Sequence, residues 1–66
     1  MGDVDYRDDE AEGDLLQVST DPRRDFARFS SYDGGDRTAC VAVTDLGVGQ
    51  VEEVVRQLND WIEARR

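Results

Sequence analysis

Four arginines, Arg23, Arg24, Arg28 and Arg37, fall within fifteen residues and are interleaved with Phe26, Phe29 and Tyr32. Guanidinium groups beside aromatic rings can hold single-stranded nucleic acid, the rings stacking on bases and the cations meeting the backbone. Asp21, Asp25, Asp33 and Asp36 lie in the same stretch and bring its net charge to zero. The basic footprint of a nucleic-acid binder is therefore missing, and nucleic acid is a possible but not a favoured partner. An aromatic homodimer interface is the leading reading of Phe26, Arg28 and Tyr32, with Arg23, Arg24 and Arg37 as solubilising arginines around them.

Catalytic chemistry finds less support. The chain has no His and no Lys, so Ser19, Ser30 and Ser31 have only carboxylates as prospective bases. Adjacent acids such as Glu52–Glu53 and Asp8–Asp9 could share acid–base work. With 16 acids in 66 residues, however, adjacency is what chance gives. No catalytic residue is assigned, and the chain is not expected to be an enzyme. One Cys without His excludes a zinc site built within the chain. The run from Asp3 to Glu10 begins like a calcium loop, but Arg7 occupies a ligand position and no Gly makes the sharp turn. Gly47-Val48-Gly49 precedes a helix, as phosphate cradles do. It lacks the third glycine and the Lys-Ser/Thr of the known patterns. No metal and no cofactor are expected, and Cys40 reads as a small buried hydrophobe.

The elements that must position these groups follow from pattern. Leu15–Ser19 reads as a short strand, ended by Asp21-Pro22. Asp25–Tyr32 is an aromatic-rich second strand, and Arg37–Thr44 a third with clear period-2 alternation. Gly34-Gly35 between them signals a hairpin turn. A two-residue turn pairs Arg28 with Val41. A slip of one residue instead sets Ala27 and Phe29 beside Ala39, Val41 and Val43. Phe26, Arg28, Ser30 and Tyr32 then share the opposite face with Thr38, Cys40, Ala42 and Thr44. A one-residue slip exchanges the faces, and burial of Phe29 with the valines favours the slipped register.

Val51, Val54, Val55, Leu58 and Ile62 recur at helical spacing, with Trp61 at the edge of the stripe. Gly49 is a fitting N-cap, followed by Glu52 and Glu53 in the first turn. The expected fold is α+β: a three-stranded antiparallel sheet in β-β-β-α order, with one C-terminal amphipathic helix on one face. Several small modules share this order, HicB-like antitoxins and single-strand-binding coactivator domains among them, and the stretch from Val43 to Val54 resembles the strand-to-helix passage of the former.

The 16 acids and 8 arginines give a net charge of −8, and residues 1–14 alone carry −6. That stretch reads as a disordered acidic arm ahead of a single domain over residues 15–66. Asp outnumbers Glu 11 to 5 and every cation is Arg. Molar salt favours such a composition, and so does a GC-rich coding sequence; in composition the chain resembles the small acidic proteins of halophiles. No apolar run approaches the ~20 residues of a bilayer span. No secretory signal is visible and one Cys allows no internal disulfide, so a cytoplasmic setting is expected. One helix can cover one sheet face, leaving the other open. A core of this size rarely supplies more than about 3–5 kcal/mol, so a homodimer through the open face is expected. The function read from the sequence is a small interaction module that binds another macromolecule, an unknown protein partner. The alternative is a single-stranded nucleic-acid binder.

Overall fold

The computed structural model describes residues 2–9, 13–35 and 39–66. Four strands, β1 (Gly2–Arg7), β2 (Leu15–Thr20), β3 (Phe26–Tyr32) and β4 (Cys40–Gly47), are followed by one helix, α1 (Val48–Ala64). The sheet is an antiparallel meander in the order β1-β2-β3-β4. The α+β class holds, with four strands where three were expected. Residues 2–7, expected within a disordered acidic arm, form the additional strand. Of the rest of that arm, residues 1 and 10–12 lie outside the described residues. Alternation explains the strand: Val4 and Tyr6 point to one side of β1, while Asp3, Asp5 and Arg7 point to the other.

The connections follow turn chemistry. The Asp8 N–H donates to the Asp14 carbonyl at 3.0 Å, closing the β1–β2 loop, and Gly13 there takes φ 93°. Between β2 and β3, Asp21 begins a turn with Pro22 in second place, where its fixed φ fits. The Arg24 N–H donates to the Asp21 carbonyl at 2.9 Å, and the Arg23 N–H to Asp21 Oδ1 at 3.0 Å. After β3 a short 3₁₀ turn covers Asp33–Gly35, with Gly34 at φ 65°. The Asp33 N–H donates to the Ala39 carbonyl at 3.1 Å, making the connection longer than a tight glycine turn.

That longer connection overturns the slipped register. Arg28 pairs with Asp45, Phe29 with Thr44 and Ser30 with Val43, and a bulge near Tyr32 leaves Val41 unpaired. Arg28 therefore shares its face with Val43, and Phe29 does not. Reading across the four strands, Val4–Val18–Phe29–Thr44 and Tyr6–Leu16–Ser31–Ala42 lie on one face, with Ala27–Leu46 beside them. None of these carries charge. Asp3–Ser19–Arg28–Asp45 and Asp5–Gln17–Ser30–Val43 occupy the opposite, charged face. In this register opposite charges meet across β3 and β4 at Arg28 and Asp45, and the aliphatics of β2 other than Leu15 gather with Phe29. Cys40, expected to be buried, is exposed at the start of β4.

The helix begins two residues earlier than Gly49 predicts. Gly47 is its N-cap, and the Gly47 N–H donates to Gln50 Oε1 at 3.3 Å. Glu52 and Glu53 consequently fall in the second turn. β4 passes into α1 with no residue between them. Val51 and Val54 are half-buried near the β3–β4 end of the sheet. Val55, Leu58, Trp61 and Ile62, however, are between 38% and 56% exposed, so the apolar stripe does not lie down over the face as expected. Among the described residues only Leu15 and Ser30 are buried, each 4% exposed. The accessible surface is 5417 Å², whereas a compact monomer of 7.4 kDa presents about 4,200 Å².

Candidate functional site

The charged face carries an open groove of about 640 Å³. The Asp21-Pro22 turn delivers Arg24 to its rim. Alternate residues of β3 then point into it: Phe26 at the end near the turn, Arg28 and Ser30 in the middle, Tyr32 at the far end. Gln17 and Ser19 of β2 form the floor on one side and Val43 of β4 on the other, with Asp3 of β1 at the outer wall. Period-2 geometry makes this possible, because residues two apart on a strand share a face.

Two guanidinium groups converge on one ring. Arg24 Cζ lies 5.7 Å and Arg28 Cζ 5.4 Å from the Phe26 centroid, within cation–π range. Each cation is also tethered to an acid. Arg28 binds Asp45 bidentately, Nε to Oδ1 at 2.8 Å and Nη2 to Oδ2 at 3.1 Å. Hydrogen bonding from Arg28 holds the Asp45 carboxyl below its ordinary range, against a smaller desolvation effect, and the same pairing raises Arg28. Asp21 takes Arg23 through Nε at 3.1 Å and Nη2 at 3.0 Å, while Arg24 Nε stands 3.9 Å away. The Arg23 side chain, then the Arg23 N–H, push Asp21 below the usual carboxylate range, and Arg23 is raised in return. Polar contacts line the rest: Gln17 Nε2 donates to Asp5 Oδ1 at 3.2 Å and Ser19 Oγ to Gln17 Oε1 at 3.5 Å.

Of the residues singled out by sequence, Phe26, Arg28, Tyr32 and Arg24 come together in the groove. Arg23 turns instead to Asp21 at the turn. Arg37 lies outside the described residues. Sequence reasoning missed Asp45, Gln17, Ser19 and Val43. Asp45 carries a signal, an acid directly across from a strand arginine, but it can be read only once the register is known.

Charges lining the groove are Asp3 and Asp21 against Arg24 and Arg28, a balance of zero. The groove thus offers the rings of Phe26 and Tyr32 and the polar groups of Gln17 and the arginines without a net charge. Among the described residues no three acidic or sulfur side chains converge as metal ligands. No described helix is long and apolar enough to cross a membrane. Comparison of the chain with protein-family models, with curated proteins and with solved structures finds no match.

Proposed function

We propose that the chain is a non-enzymatic, homodimeric interaction module that works in the cytoplasm at high salt and binds a protein partner. The supporting observation is the surface left open. The accessible area exceeds that of a compact chain of this mass by about 1,200 Å², and the described residues bury only one apolar side chain, Leu15. A fold with so little interior is stabilised by association rather than by its own core. The groove with Phe26, Arg28 and Tyr32 is the recognition surface for the partner, and the acidity is a solubility device.

Light scattering at several protein concentrations in 2 M KCl tests this reading. A species of twice the 7.4 kDa chain mass supports it, and a monomer at every concentration refutes the dimer.

A second reading, single-stranded nucleic-acid binding, is favoured by one observation, the convergence of Arg24 and Arg28 on the Phe26 ring. Titration with a fluorescent single-stranded oligonucleotide from 0.1 to 2 M KCl decides it. Binding that Phe26→Ala with Tyr32→Ala abolishes supports this reading; absence of binding at all salt concentrations removes it.

A further inference from the structure

We infer that the homodimer forms by reciprocal exchange of α1, the helix of each copy lying across the uncharged sheet face of the other. The inference rests on the dimer proposed above and specifies its interface. It also relocates the contact: the groove face, expected from sequence to carry self-association, is left free.

Two unpartnered apolar surfaces exist in one chain. One is the sheet face with Val4, Tyr6, Leu16, Val18 and Phe29, on which the paired rows bring no charged side chain. Val4, Tyr6 and Leu16 on it are exposed. The other is the helix stripe of Val55, Leu58, Trp61 and Ile62, exposed past the second turn. Each matches what the other lacks. A helix of 17 residues is about 25 Å long, whereas four strands span about 14 Å between the outer two. The helix is thus long enough to cross the whole sheet, and an uncharged face buries no unpaired ion beneath it.

The junction argues for a second copy over the helix's own sheet. Laying a helix back on the strand that precedes it takes a reversing connection, commonly about 2–6 residues. Here Gly47 ends β4 and Val48 begins α1, with Gly47 extended at φ −74° and ψ 173°. The helix leaves the sheet, and its start leaves an open cleft of about 440 Å³ against Pro22, Ala27 and Leu46. A two-fold axis makes the exchange self-completing, because the same two surfaces meet twice. The area agrees. Two separate chains expose twice 5417 Å², whereas a compact particle of twice the 7.4 kDa mass presents about 7,000 Å², so compact pairing buries about 3,800 Å², within the roughly 2,000–5,000 Å² of obligate dimers.

The test uses the unmodified protein. Equal amounts of ¹³C,¹⁵N-labelled and unlabelled chain are unfolded together, refolded in 2 M KCl and examined by isotope-filtered NOE spectroscopy, with the mass checked by light scattering. Exchange predicts inter-chain NOEs from the Trp61 indole and Leu58 methyls to Val4, Leu16 and Val18. A dimeric mass with those NOEs confined to one chain, or with inter-chain NOEs only from Phe26 and Tyr32, overturns the exchange and leaves the dimer standing. A monomeric mass overturns both. As an independent check, Leu58→Asp with Trp61→Asp should yield a monomer, while Phe26→Ala with Tyr32→Ala should retain dimeric mass. The reverse pattern refutes the proposal.

Discussion

Arg28 is the residue on which most of the charged face depends. It bridges Asp45 on the neighbouring strand and leans on Phe26, so one side chain links the β3–β4 pairing to the ring. Because the Asp45 carboxyl is held below its ordinary range by that hydrogen bond, its ionised form favours the folded state. The contribution is fully present above the unfolded value, about pH 4, and is lost as pH falls through the lower folded one. Asp45→Asn should therefore reduce stability at pH 7 and converge with the parent chain at the acid end, in urea unfolding followed by circular dichroism. A carboxyl ¹³C titration placing Asp45 at or above the ordinary value would contradict this. Asp21 titrates in the same sense through Arg23, so the variant removes only one share of the acid dependence. At this scale the sequence was partly readable. The Arg–aromatic cluster stood out by composition, whereas Asp45 did not, since a cross-strand partner is invisible until two strands are aligned. Cys40 was misplaced for the same reason, because the bulge and the later start of β4 put it at the exposed end.

Glycines test the elements, since two of them ask for opposite things. Gly13 sits at φ 93° in the loop that returns β1 to β2, and a Cβ there would stand 3.2 Å from the Gly34 Cα. Gly13→Ala should destabilise by about 1–3 kcal/mol, the usual cost of a strained backbone position. Gly49 lies within the helix with open space around it. Gly49→Ala should stabilise by roughly 0.5–1 kcal/mol, because alanine loses less backbone entropy in a helix. Urea melts in molar KCl measure both signs, and a neutral Gly13→Ala would remove the loop from the account of β1. β2, the Asp21-Pro22 turn and the helical stripe were legible because each is governed by local pattern. β1 was obscured by its acids: counting charge hid the alternation of Val4 and Tyr6. The register and the lie of α1 were not legible, since both depend on a loop length and on surfaces that meet at long range.

For the whole molecule, the balance of −8 makes salt the decisive variable. Self-repulsion among unscreened acids opposes compactness, and its range contracts from about 10 Å at 0.1 M to about 3 Å at 1 M salt. Thermal melts by circular dichroism from 0.1 to 3 M KCl should show stability rising with salt. Equal stability at both ends would assign the arginine-for-lysine composition to the coding sequence rather than to the solvent. The meander adds something that charge does not. Every strand pairs with its neighbour in sequence, so no pairing awaits the closure of a long loop, and the entropy lost at each step is small. Folding rate falls as pairings become less local, and sequential pairing keeps them as local as a sheet allows. The sheet can therefore zip from one hairpin to the next within a single chain, each pairing closing only a short loop.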